Sequence, residues 1–239
     1  MDLEGKRALV TGGGSRVGRA LCVALAERGV HVAVHYDASE AAAVEVAAAC
    51  GGAPRLQADL TVAGAAQGLV HAAQDALGGL DLLINNAAVY ERTPLETVDE
   101  RAWNRHLDLN LKAAFFAAQA AGRIMREGAG GVILNLTDAQ ALDPRPGYLP
   151  YFASKAGLEA VTRGLALELA PEVRVNAVAP GPVLPPEDAS EASIDAIRRA
   201  TPLDPAGALK SLVSAVFYLI ESDFVTGQTL TVDGGRSLR

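Results

Sequence analysis

Tyr151 and Lys155 stand four apart in "YFASKAGLEAVTR", so on a helix they share one face. A lysine beside a tyrosine favours the phenolate by charge and draws the phenol pKa down toward neutrality. A tyrosine tuned in this way can give up or take a proton, which is the work of a general acid or base. A second group is "TGGGSRVG", residues 11–18, set between the apolar run "RALV" and a helix-forming stretch. Glycines let backbone amides approach a pyrophosphate, and the helix N-terminus behind them favours negative charge. Strand, turn and helix in that order are the context of dinucleotide binding. Arg16 interrupts the glycines, and its flat guanidinium can pair with phosphate oxygens or face a planar substrate.

The elements that must hold these groups alternate along the chain. Short apolar runs read as buried parallel strands: "RALVTG", "HVAVHY", "LLINNA", "GVILNLT", "RVNAVAP" and "TLTVDGG". Alanine-rich stretches at 17–28, 39–50, 62–77, 99–126, 151–170 and 205–221 carry helical spacing and good helix formers. The fold class is therefore α/β, a single Rossmann-type doubly wound parallel sheet with helices on both faces. Residues 1–239 read as one domain, without a linker or repeat. The Pro-rich piece 180–190 reads as a mobile loop, and it overlaps a substrate loop expected around 182–200. Ligands in such sheets sit beyond the carboxyl ends of the strands, and Arg16, Asn86, Asp138 and the Pro180–Gly181 pair gather there.

Composition narrows the partners. Half of the 239 residues are hydrophobic, and 21% are charged, with a net charge of −7. That balance speaks against a nucleic-acid surface, which needs a basic patch. No apolar run reaches the roughly 18 residues of a membrane helix. The N-terminal stretch lacks the pattern of a signal peptide. Cys22 and Cys50 are too few and too far apart for a disulfide framework or a zinc site, so no metal is expected and the expected compartment is the cytoplasm.

The spacing Thr11, Gly12 and Gly18 resembles the T-G-x-x-x-G-x-G of the short-chain dehydrogenases/reductases, with Arg16 at the middle glycine. Further motifs of that family follow in order over nearly the whole chain: "NNAA" at 85–88, Asn110, "YFASK" at 151–155, "PG" at 180–181 and "VDGG" at 232–235. The resemblance implies that Tyr151 is the acid/base residue and that Lys155 tunes it and binds the nicotinamide ribose. It also implies that Asn110 kinks its helix and holds a water in a proton relay. On the cofactor side it implies Gly12, Arg16, Val17, Gly18, His35, Tyr36, Ser39, Asp59, Leu60, Asn86, Ala87, Pro180 and Gly181. Tyr36 falls at the position of the NAD-type carboxylate and Asp37 one place later. "HYDAS" is similar to the pteridine reductases, which use NADPH, with His35, Ser39 and Arg16 as donors to a 2′-phosphate. NADPH is therefore expected over NADH, against the charge of Asp37.

Asp138 is the informative departure. Most members of the family place a serine thirteen residues before the tyrosine, where its hydroxyl stabilises a developing alkoxide. A carboxylate there would repel the alkoxide, by several kcal/mol at low effective dielectric. A carboxyl suits a substrate that takes a proton on nitrogen. Strand alternation turns Thr137, the nearby hydroxyl, to the other face. Arg16, Asp138 and Tyr148 together resemble the pteridine and dihydromonapterin reductases, in which aromatic residues at the places of Tyr90 and Tyr148 line the pterin pocket. The expected activity is NADPH-dependent hydride transfer to a pterin or folate C=N bond, with Arg16, Tyr90, Asp138, Tyr148 and Tyr151 around the substrate. A carbonyl reductase for 3-oxoacyl, sugar or quinone substrates is one alternative, and a non-catalytic NADP(H) sensor is another. By resemblance the chain forms a homotetramer.

Overall fold

Seven short strands form one all-parallel sheet in the order β3-β2-β1-β4-β5-β6-β7. They are β1 (Arg7–Val10), β2 (His31–Tyr36), β3 (Arg55–Gln57), β4 (Leu82–Asn85), β5 (Gly131–Leu136), β6 (Val173–Pro180) and β7 (Thr229–Val232). A computed structural model describes residues 1–185 and 189–239. The eight α-helices among these residues are α1 (Arg16–Ala26), α2 (Glu40–Ala49), α3 (Ala65–Leu77), α4 (Glu100–Leu107), α5 (Ala114–Glu127), α6 (Leu149–Glu168), α7 (Glu191–Ala200) and α8 (Ala208–Glu221).

Strand side chains alternate between two apolar cores. Ala8, Val10, Leu82, Ile84, Val132 and Leu134 pack toward α1, α2 and α8, where Leu21, Leu25, Val46, Leu212 and Val216 meet them. Leu9, Leu83, Ile133 and Val175 face the other way, onto Leu69, Val70, Ala117, Ala121 and Leu165 of α3, α5 and α6. Burial on both faces explains why these strands read as continuous apolar runs. Strand order reverses direction between β1 and β4, and a crevice opens at their carboxyl ends.

Three features differ from the reading of the sequence. β3 is only "RLQ", with no apolar run to mark it. The stretch 99–126 is not one helix: a π-helical turn, Asp108–Ala113, separates α4 from α5. Residues 191–200 of the expected loop form α7, opened by Ser190, whose hydroxyl accepts from the Ser193 amide. Residues 186–188 of that loop lie outside the described residues. Among the described residues, no single helix is long and apolar enough to cross a membrane.

Candidate active site

A cleft of ≈ 1160 Å³ runs along the carboxyl ends of the strands, from the Gly12–Gly18 loop past His35, Asp37 and Asp59 to Asn86, Ala87 and Tyr151. Its floor is knitted across the crevice. Thr11 Oγ1 accepts from the amides of Asn86 and Ala87 at 2.9 and 3.0 Å, and Asn86 Nδ2 donates to the carbonyls of Thr11 and Gly12. The glycines are there for closeness: a Cβ on Gly18 would stand 2.1 Å from the Gly12 carbonyl oxygen. Arg16 opens α1 with φ 48°, a left-handed conformation that costs a non-glycine residue roughly 1–2 kcal/mol. Its guanidinium reaches across the cleft mouth and donates to the carbonyls of Leu184 and Pro185 at 3.3 and 3.0 Å.

The end of β2 corrects two expectations. His35 is buried, and both ring nitrogens are committed: Nδ1 accepts from the Gly12 amide at 2.9 Å and Nε2 donates to the Ala58 carbonyl at 3.0 Å. That pairing requires the neutral ring, and burial lowers the His35 pKa below its ordinary value despite the Ala58 carbonyl and the Asp37 charge. His35 therefore braces the glycine loop and has no donor left for a 2′-phosphate. Tyr36 packs against the core around α1 and α2, and Ser39 stands outside the cleft as the N-cap of α2, so Asp37 rather than either of them lines the wall. Val17, Gly18 and Leu60 line it as well. Asp59 Oδ1 accepts from the amide and hydroxyl of Thr61, bonds that hold its pKa low. Pro180 ends β6, and Gly181 borders a neighbouring hollow of ≈ 340 Å³ rather than this cleft.

At the other end the proton-bearing groups meet. Tyr148 precedes α6 and Pro150 sits in its first turn, where a missing N–H costs nothing. Asn135 donates through Nδ2 to Thr162 Oγ1, and its Oδ1 accepts from Asn85 Nδ2, a buried chain that fixes α6 against β4 and β5. In that orientation the Tyr151 hydroxyl donates to Asp138 Oδ2 at 2.8 Å. Thr137 turns its hydroxyl to the Val178 carbonyl instead. Lys155 is buried, and its Nζ donates to the Leu136 carbonyl at 2.6 Å. The expected lowering of the tyrosine pKa is not what this arrangement produces. Burial first, then the charge and hydrogen bond of Asp138, push Tyr151 well above the ordinary phenol range. Burial lowers Lys155 to about 8, with the Asp138 charge opposing. Asn110, in the π-turn, exchanges hydrogen bonds with the Val89 backbone and donates to Ser154 Oγ at 3.0 Å. Ser154 is a partner that motif spacing does not point to.

Tyr90 and Tyr148 form the rim. Their rings stack on each other, with centroids 4.7 Å apart and planes 7° apart, and Tyr90 meets Tyr151 edge-on at 4.7 Å. Tyr90 is thus packed between the face of Tyr148 and the edge of Tyr151. Burial raises the Tyr90 hydroxyl to about 12, with Arg145 opposing.

Residues 14–237 match the family model described as Enoyl-(Acyl carrier protein) reductase. An uncharacterized oxidoreductase of Methylorubrum extorquens is 38% identical, over 98% of each chain. The 3-oxoacyl-[acyl-carrier-protein] reductase FabG of Staphylococcus aureus is 33% identical, over 96% of this chain and 97% of its own. The chain belongs to the short-chain dehydrogenase/reductase family. Among solved structures, FolM alternative dihydrofolate reductase 1 from Brucella suis, in complex with NADP, superposes with a TM-score of 0.92 at 34% identity, covering 100% of this chain and 97% of that one.

A nicotinamide dinucleotide fits the cleft of this short-chain dehydrogenase/reductase on the protein's own geometry: bare glycine backbone, a helix N-terminus and a strand-end crevice ending at Tyr151. The distinctive chemistry lies in the Asp138–Tyr151 pair. Two acidic groups 2.8 Å apart that share one proton resist losing it, because two negative charges would then be adjacent. A carboxylate at that place also opposes an oxyanion built against it.

Proposed function

We propose that the protein is an NADPH-dependent pteridine reductase, adding a hydride and a proton across a pterin or dihydrofolate C=N bond. One observation carries this reading: a carboxyl, Asp138, hydrogen-bonded to the family's acid/base tyrosine. The likeness to an alternative dihydrofolate reductase that holds NADP supports both substrate class and cofactor. When bound, the nicotinamide supplies the hydride. Gly12, Arg16, Val17, Gly18, Leu60, Asn86 and Ala87 hold the dinucleotide in the cleft, with Asp59 on the adenine side and Pro180–Gly181 at the nicotinamide end. Lys155 holds the ribose and, with Asn110, replenishes the proton. Asp138 and Tyr151 deliver that proton to the ring nitrogen. Tyr90 and Tyr148 line the pocket of the ring, and Leu184 and Pro185, whose carbonyls accept from Arg16, stand at the cleft mouth. The assembly is a homotetramer, which light scattering on the purified protein tests.

The direct test is NADPH consumption with dihydrobiopterin and dihydrofolate beside simple ketones and a 3-oxoacyl thioester. Turnover confined to the pterins supports the proposal. Turnover confined to carbonyls favours the second reading, a carbonyl reductase, which the 33% identity to a 3-oxoacyl reductase supports.

A further inference from the structure

Arg145 lies at the mouth of the site, its guanidinium carbon 5.3 Å from the Tyr148 ring centroid and 5.8 Å from that of Tyr90, whose hydroxyl accepts from its Nη2 at 2.5 Å. It is two ring contacts from the Tyr151 hydroxyl and close enough for its charge to lower the Tyr151 pKa. Arg92 runs beside Gly147, two residues after Arg145, where a Cβ would stand 3.5 Å from Arg92 Nε. Neither guanidinium has a carboxylate within ion-pair distance among the described residues. Glu91, beside Arg92 in sequence, is taken by Arg105 at 3.1 Å, and Asp143, two residues before Arg145, makes no ion pair with it. On a chain of net charge −7, the mouth of the site thus carries two positive groups without an ion-pair partner among the described residues.

We infer that Arg145, assisted by Arg92, is a specificity-determining anion subsite for the carboxylates of a p-aminobenzoylglutamate tail, so that the substrate preferred over a neutral pterin is a dihydrofolate. The inference rests on the pteridine reading above. A guanidinium has five donors, and Tyr90 engages one at Arg145. The stacked tyrosines hold the fork in place, which reduces the entropy lost when it grips a carboxylate.

The test is the ratio of kcat/KM for dihydrofolate to that for dihydrobiopterin. Arg145→Gln should lower this ratio about tenfold, chiefly through KM for dihydrofolate, and Arg92→Gln, which leaves the contact with Tyr90 intact, several-fold. Added salt should lower the ratio in the parent and not in the double variant. An unchanged ratio in both variants overturns the inference. Turnover of neither pterin would sink the pteridine reading itself. The subsite is then read directly by calorimetry with p-aminobenzoyl-L-glutamate on the NADP-loaded protein. Saturable binding that weakens about tenfold in Arg145→Gln upholds it, and no binding to the parent overturns it.

Discussion

Replacing Asp138 by serine restores the hydroxyl usual in the family and separates the two readings of the site. In the parent, Asp138 Oδ2 accepts from Tyr151 at 2.8 Å, and its charge and hydrogen bond both raise the tyrosine pKa. Asp138→Ser removes both causes and leaves burial, so Tyr151 becomes a better acid. If the carboxyl supplies the proton for a C=N bond, its loss costs about 10²–10⁴ in kcat/KM for dihydropterins, the usual worth of a general acid. Ketone reduction should move the other way. A carboxylate about 4 Å from an alkoxide, at an effective dielectric near 20, opposes a full charge by about 4 kcal/mol. With roughly half that charge developed in the transition state, its removal gains about 2 kcal/mol, or roughly thirtyfold. The assay is NADPH oxidation at 340 nm with both substrate classes across pH 5–9. Undiminished pterin turnover in Asp138→Ser would refute the reasoning, whatever happened to ketones.

Tyr151→Phe should abolish turnover of every substrate, by about 10² or more, and leave NADPH binding measurable by fluorescence; retained turnover would remove Tyr151 from the chemistry. Because the folded pKa of His35 lies below its ordinary value, the unfolded state binds the extra proton. Stability should therefore be fully present above about pH 6.5 and decline below it, by up to about 1.4 kcal/mol per pH unit. Melting temperatures from pH 5 to 8 should show that slope, and His35→Ala, though less stable throughout, should flatten it; an equal slope in the variant would show that other groups cause it. Asp37 lines the cleft where a 2′-phosphate would lie, so Asp37→Ser should tighten NADPH several-fold relative to NADH, about 1 kcal/mol for an exposed charge pair. Equal changes for the two cofactors would place Asp37 away from the phosphate.

What was legible in the chain follows from how far apart the partners are. Tyr151 and Lys155 need only one turn of helix to share a face, and the apolar runs announce strands buried on both sides, so the sheet, the crevice and the placing of that pair on one helix could be read directly. His35 could not: its role is set by the Gly12 amide and the Ala58 carbonyl, each 23 residues away, and only the pairing of β2 with its neighbours brings them together. Asp138 was noticed for its departure from a motif, yet its effect on Tyr151 runs against the local rule that a lysine four residues on favours the phenolate. The rule assumes that the ammonium and the hydroxyl face each other. Here Lys155 is drawn to the Leu136 carbonyl and Tyr151 to Asp138, so burial and the carboxylate decide the outcome. The same contrast applies around Asn110. Apolar spacing continues through 99–126 without a visible break, but the π-turn inserts its extra residue there and turns the Asn110 amide toward Val89 and Ser154. A polar side chain inside an apolar helix was the available signal. It marked the position correctly, and only the packed α6 could say which partner it would find.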